Sequence, residues 1–449
     1  MFKRTYKRNI PLLAGLEFTS YFGITSFWIL FFIQNGLSLL QIGLLESIFH
    51  GTSLLCEIPS GMLADRFSYK TNLYLARLAS IVSSILILFG QGNFWIYAIA
   101  MMVNAWSYNF DSGTSTAFLF DSAVEAGQKD RYLQISSFLS GVAEVTRTLG
   151  TVVAGFFIHG ALAWTYLIAI GLSFLSIILI YFMKEPMAKR EKNEVLTFKT
   201  IVLQVRKEWQ EKPVLFYWMM TYQLVGTLMC MFYFYYQQKI SDLAGWQVSL
   251  VMLIGSGLNL IAVYVASQIG KKWNSNRVFP TLVALTGLAL LLVFFGTPFA
   301  FLLVYLLTDT LYAVYQPIYF NDLQGYLPSS VRATMLSINS MLFSLSMIVI
   351  FPLTGWFIDS CGFVAVFLVI GLVTLFSFPL LMFGLGKMGK ILSNRQLRME
   401  NERKAQMHYD RILRGVETSA KYKTNKRIAR MRIKYSHLET LNKKNTDDI

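Results

Sequence analysis

Seven ionisable side chains stand inside stretches that are otherwise apolar: Glu17, Glu46, Arg77, Asp111, Glu144, Arg147 and Asp309. A charge near the centre of a bilayer costs at least ~2.5–3.5 kcal/mol on insertion scales, so each is a candidate for function. Glu46 and Arg77 lie within about two turns of the expected membrane surface and are expected to snorkel to it. Glu144 and Arg147, at i and i+3, can pair on one helix face, either as a static bridge or as part of a site. Glu17, Asp111 and Asp309 then remain as deep acids. A carboxyl taken out of water favours its neutral form and can load and release a proton. Acids among tyrosines and tryptophans also suit cationic or amphipathic solutes, through charge attraction and cation–π contact.

The chain that must position these groups has 449 residues, 55% hydrophobic and 14% charged. An ordinary soluble domain carries ~25% charged residues. The charge is concentrated at one end: residues 387–449 hold 17 Lys/Arg and 7 Asp/Glu, a net +10 of the chain's +15. The body before them is too apolar for a soluble multi-domain protein, a disordered chain or a secreted disulfide scaffold. A spanning helix needs ~20 mainly apolar residues. Twelve such stretches are expected, at 10–34, 41–63, 71–91, 94–119, 134–158, 164–183, 214–236, 248–269, 278–296, 300–321, 333–353 and 364–385. The first is too long for a cleaved signal and contains Glu17.

Lysine and arginine set the orientation. With the N-terminus cytoplasmic, the inner segments and the tail hold 37 of the 40 Lys/Arg, and the outer loops hold only Lys239. The alternation supports twelve spans with both ends inside. The charged segment 184–213 divides the body into two six-span halves, 1–183 and 214–386, followed by a basic tail, 387–449. The halves echo each other: at an offset of 201 residues Asp121 matches Asp322, Arg131 matches Arg332 and Ser136 matches Ser337. Internal repeats of this kind build many secondary transporters.

Between the second and third stretches runs Gly61-Met62-Leu63-Ala64-Asp65-Arg66-Phe67-Ser68-Tyr69-Lys70. This loop resembles the G-x-L-A-D-R-x-G-R-K signature of the major facilitator superfamily, with Ser68 and Tyr69 departing from the usual Gly and Arg. The resemblance, taken with the spans and halves, covers residues 1–386. It implies an all-α membrane protein of twelve transmembrane helices in two pseudo-symmetric halves. It also implies that Gly61, Asp65, Arg66 and Lys70 form a conformational latch. Arg66 and Lys70 would pair with acids at the inner end of span four, where Asp121 sits. The alternative is that these cations only set topology.

In that superfamily spans one, four, seven and ten line the central cavity. Here those spans carry mixed polar and aromatic faces at helical spacing: Glu17, Tyr21, Ile24 and Trp28; Asn104, Tyr108, Asp111 and Ser115; Gln223, Thr227, Cys230 and Phe234; Asp309, Tyr312, Gln316 and Tyr319. Each face either lines the cavity or packs on a neighbouring helix. The resemblance makes Glu17, Tyr21, Trp28, Tyr108, Asp111, Glu144, Arg147, Gln223, Asp309, Tyr312 and Gln316 candidates for solute or proton binding. Span five keeps Gly150 and Gly155 of the antiporter glycine pattern but lacks its proline. Efflux of a cationic or amphipathic compound and uptake of a small metabolite both stay open. So does a sensor, scaffold or lipid flippase that does not pump.

No Walker loop or nucleophile motif marks an enzyme. Three cysteines and four histidines at irregular spacing give no disulfide framework and no metal motif. No cofactor is expected. The partners expected are a small-molecule solute, a proton and membrane lipid, with no nucleic acid, and the protein is expected to be a monomer in the plasma membrane. The tail places Ala405, Tyr409, Ile412, Leu413, Val416 and Ala420 at helical spacing. A basic amphipathic helix suits an anionic lipid surface; a solvated tail is the alternative.

Overall fold

A computed structural model describes residues 5–66, 68–187, 203, 206, 209, 210, 212–240, 243–327 and 332–394, apart from the side chains of 57–66, 112 and 332–334. Most of the 184–213 segment and the tail from 395 onward, with its amphipathic spacing, lie outside the described residues.

Helices account for every element among the described residues, and no strand occurs there. In chain order they are α1 (Tyr6–Ser20), α2 (Trp28–Gln34), α3 (Leu39–Arg66), α4 (Tyr69–Phe89), α5 (Phe94–Glu125), α6 (Tyr132–Ala154) and α7 (Leu162–Phe182). After the central segment come α8 (Pro213–Tyr235), α9 (Gly245–Gly270), α10 (Ser275–Leu291), α11 (Pro298–Tyr326), α12 (Arg332–Cys361) and α13 (Phe363–Phe376). A further helix, α14, runs Phe378–Asn394 and is bent 48° from α13.

Among the described residues eight helices are long and apolar enough to cross a membrane: α3, α4, α7, α8, α9, α10, α11 and α12. The bent pair α13–α14 makes a ninth candidate. The expected span at 10–34 is not one helix but two, α1 and α2, separated at residues 21–27. Ser26 competes with the helix there, donating its hydroxyl to the Gly23 carbonyl at 2.6 Å. α1, of 15 residues, is too short to cross alone, and the polar residues of α5 and α6 make those helices less apolar than the eight. Large side chains such as Leu260 and Phe376 stand 68% and 77% exposed, as lipid-facing groups do.

Two ends of the bundle can be told apart. One carries the basic connections 126–131 and 271–274; the other carries the charge-poor connections 35–38, 155–161 and 236–244. Hydrogen bonds between described residues of the two halves gather toward the charge-poor end. The amides of Leu39 and Leu40 cap on Asp359 at 3.2 and 2.9 Å, and Ser47 donates to the Ile348 carbonyl at 2.8 Å. Gly43 packs directly on Pro352, where a Cβ would collide with backbone. Gln237 bridges to the Ser26 carbonyl at 3.1 Å, and Ser249 donates to the Val152 carbonyl at 2.7 Å. The halves are thus zipped along α3 against α12 and α6 against α9.

Candidate solute and proton site

The break between α1 and α2 shapes the first site. Gly23 faces α6 so closely that a Cβ would lie 2.6 Å from the Arg147 carbonyl oxygen, and Gly150 rests on the Gly23 backbone. The chain leaves the helix just after Glu17 and Ser20, opening space beside α4 and α5. Arg77 fills part of it. Its side chain is only 8% exposed, pairs with the Asp111 carboxylate, and donates to Ser20 Oγ at 2.9 Å. Ser115 donates to the other Asp111 oxygen at 2.6 Å. Snorkelling therefore does not describe Arg77: a guanidinium with a carboxylate and a hydroxyl to bind is more stable turned inward. Glu46 likewise turns inward, to His50 on its own helix at 3.4 Å, and His50 lies 3.3 Å from Ser344 of α12.

Glu17, Tyr21, Asp111, Glu144 and Arg147 share a cavity of about 360 Å³ within the N-terminal half. Glu144 and Arg147 pair at 3.4 Å, and the Arg147 guanidinium lies 5.7 Å from the Tyr21 ring centroid. Both members are 54% exposed, so the pair faces open space rather than a packed interior. The same two residues reach a second cavity of about 340 Å³ between the halves. There Asp309 accepts from Asn259 Nδ2 at 2.8 Å, and Tyr233, Tyr305 and Tyr312 surround it. The Asn259 side-chain oxygen is buried without a hydrogen-bond partner among the described residues. Neither Glu17 nor Asp309 has an ion pair among the described residues.

The remaining candidates separate. Trp28, beyond the break, stacks on Phe351 at 6.3 Å in the seam between halves, away from Glu17 and Tyr21. Tyr108 is exposed and lines a third cavity with Asp111. Gln223 does not line the space between halves. It is buried, donating to Asn339 at 2.8 Å and to the Tyr319 hydroxyl at 3.2 Å. Gln316 donates to the Tyr312 hydroxyl at 2.5 Å.

At the basic end, the side chains of Gly61, Asp65 and Arg66 lie outside the described residues. Lys70 donates to the Tyr181 and Met183 carbonyls at 3.1 and 3.0 Å, where α7 ends, and Asp121 accepts from the Tyr69 hydroxyl at 2.7 Å. Asp121 thus receives a hydroxyl from the first turn of α4. Its counterpart Asp322 receives the hydroxyl and amide of Ser275, at 2.7 and 2.6 Å, from the first turn of α10. Both acids thus accept hydrogen bonds from the first turn of a neighbouring helix.

The family profile described as Major Facilitator Superfamily matches residues 13–350, three-quarters of the chain and every cavity described above. The chain belongs to the major facilitator superfamily. It is 25% identical over 380 residues to the "Uncharacterized MFS-type transporter YxaM" of Bacillus subtilis (strain 168), covering 78% of this chain and 88% of that one. The nucleoside transporter NupG superposes with a TM-score of 0.68 at 13% identity, over 86% of this chain and 99% of its own. A D-xylose–proton symporter superposes with a TM-score of 0.62 at 13% identity, over 83% and 96%. At such identities the structures show the fold alone. As a major facilitator protein the chain is a multi-pass membrane transporter, not an enzyme.

Within this major facilitator protein, side-chain spacing alone missed Asn259, Ser20, Tyr233 and Tyr305. An asparagine in an otherwise apolar span was the available signal for Asn259. The tyrosines offered none, because tyrosine is ordinary near membrane interfaces.

Proposed function

We propose that the protein is a proton-coupled secondary transporter with twelve membrane crossings, working by alternating access. It lies in the plasma membrane with both termini cytoplasmic, and acts as a monomer. The supporting observation is the cavity between the halves, with Glu144 and Arg147 on one wall and Asp309 on the other, beneath a seam zipped at the charge-poor end. On the orientation that Lys/Arg bias favours, this is a state closed to the outside and open to the cytoplasm. Rocking the halves about that seam would reverse it.

Glu17, Asp111 and Asp309 are the proton-carrying candidates. Asp309 and the partnerless Asn259 oxygen are acceptors ringed by tyrosines, an arrangement suited to a cationic, partly apolar solute. Gly61, Asp65, Arg66, Lys70 and Asp121 would latch the opposite state. The tail would rest on anionic lipid through its net charge of +10.

The test uses the full chain in proteoliposomes with tetraphenylphosphonium as probe. An imposed pH gradient should drive its movement, a protonophore should abolish that, and Asp309→Asn should lower it at least tenfold. Asp65→Asn should slow turnover without lowering insertion. Movement indifferent to both gradient and Asp309→Asn would reject the coupled reading. A second reading, uptake of an uncharged metabolite, is favoured by the third cavity.

A further inference from the structure

The third cavity, about 350 Å³, lies wholly inside the N-terminal half, between the α1 break, α4, α5 and α7. It shares Tyr21 and Asp111 with the cavity below it, which in turn shares Glu144 and Arg147 with the space between halves, so the three form a chain. At its far end it stops at Ile87 and Tyr166. Ser80, Ser83 and Ser84 of α4 line one wall, at i, i+3 and i+4, facing Asn104 and Ser107 of α5. The charged groups in the lining are Arg77 and Asp111, which neutralise each other.

Several of these groups are unspent. Arg77 is 94% buried, yet its Nε has no hydrogen-bond partner among the described residues. The side chains of Thr25, Ser84 and Asn104 make no hydrogen bond among the described residues. Buried polar groups are normally satisfied, by protein or by what the cavity holds; Arg77 and Ser84 are buried, whereas Thr25 and Asn104 are partly buried at the chamber wall. The chamber is not a by-product of the repeat. Counting from the first residues of α4 and α10, Arg77, Ser83 and Ser84 correspond to Val283, Ala289 and Leu290. Those three are buried in the C-terminal half.

We propose that this chamber is a binding site for an uncharged, polyhydroxylated solute. Its volume is within the range of ligand pockets, ~300–1,000 Å³. Its charges cancel, so an ionic solute gains nothing by entering. Its free amide, hydroxyl and guanidine groups offer donors and acceptors on several sides, as a ring of hydroxyls requires. A site built to hydrogen-bond hydroxyls also rejects an analogue lacking them, because its own polar groups are then stranded. The proposal rests on the transporter reading and names the solute class for its metabolite form.

The test measures binding in detergent, where transport plays no part. The full chain is titrated with D-ribose, D-sorbitol and myo-inositol while its thermal unfolding midpoint is followed. At least one should raise the midpoint along a saturating curve. Asn104→Leu and Ser84→Leu should each weaken that affinity at least tenfold. The milder Thr25→Val and Ser84→Ala should weaken it several-fold even if a leucine variant fails to fold. Asp309→Asn should leave it unchanged. A rise linear in concentration, equal for all three probes and kept in the variants is solute exclusion and overturns the proposal. So does no rise with any probe, or affinity lost with Asp309→Asn and kept in the chamber variants. Saturating polyol binding with no coupled movement of tetraphenylphosphonium would sustain the chamber and reject the cationic reading.

Discussion

The helices before and after the central segment use their interiors in opposite ways. In the N-terminal half the interior is hollow and polar, with Arg77 and Asp111 paired between two cavities. In the C-terminal half a column of buried aromatics fills the space. Tyr222 stacks on Phe279 at 4.3 Å and on Tyr319 at 4.7 Å, and Trp218 stacks on Tyr319 at 5.2 Å. Stacked rings add ~0.5–1.5 kcal/mol each beyond their burial. One part thus leaves polar space inside, and the other fills its interior with stacked rings.

The sharpest way to break this contrast is at Arg77. Arg77→Ala strands Asp111 in a site where its partner was only 8% exposed. Such a loss typically costs ~3–5 kcal/mol, whereas removing both partners does not. The single variant should show a much lower unfolding midpoint in detergent and poor insertion, and Arg77→Ala with Asp111→Ala should recover most of it. Additive losses would mean that the polar interior is held by something other than this pair.

In the filled half the matching intervention is Gln223→Leu. Gln223 is the donor that ties Tyr319 and Asn339 together beside the aromatic column. Leaving buried partners unsatisfied costs ~1–3 kcal/mol. The unfolding midpoint should fall, while solute affinity in the N-terminal chamber stays as it was. A loss of affinity without a loss of stability would return Gln223 to the solute site.

These two residues also show how far the sequence could be read. The all-helical, apolar character of the body follows from composition and periodicity, which hydropathy reports directly; of the twelve expected stretches, eight stand as single helices long and apolar enough to cross among the described residues, with the bent pair α13–α14 a ninth candidate. The cost of a deep charge brought out Glu17, Asp111, Glu144, Arg147 and Asp309, all of which line the chained cavities. Burial of Arg77 was not legible, because its partner is 34 residues away on another helix. Gln223 and Gln316 look alike as polar residues on expected cavity helices, and only packing separates the buried one. The broken first span escaped because Gly23 and Gly150 matter through each other. The serines of α4 did carry a signal, three hydroxyls on one helical face, but serine alone is too common in such helices to mark a site.

A smaller effect is expected at Arg147. Its pair with Glu144 is half-exposed to a cavity. Pairs so placed contribute ~0–1 kcal/mol. Arg147→Ala should therefore change the unfolding midpoint little, and far less than Arg77→Ala, while gradient-driven movement of the solute drops severalfold. A large stability loss would mean that the space around Arg147 closes in the dominant state.

The smallest expected effect compares one position in the two halves. Thr286 of α10 corresponds to Ser80 of α4, counting from the start of each helix. Thr286 is fully buried and its hydroxyl has no partner among the described residues. Ser80 lines the chamber, 3.4 Å from the Ser173 hydroxyl. Replacing an orphaned buried hydroxyl by a methyl of similar shape removes a desolvation penalty, so Thr286→Val should stabilise the protein by about 1 kcal/mol or less. Ser80→Val should do the reverse, because it places a methyl against a polar chamber and strips Ser173 of its neighbour. Unfolding midpoints measured side by side in one detergent should shift in opposite directions. Opposite signs at equivalent positions would show that one half is packed and the other is wet. Stabilisation by both substitutions would mean the chamber tolerates apolar lining, and the division between a hollow half and a filled one would fail.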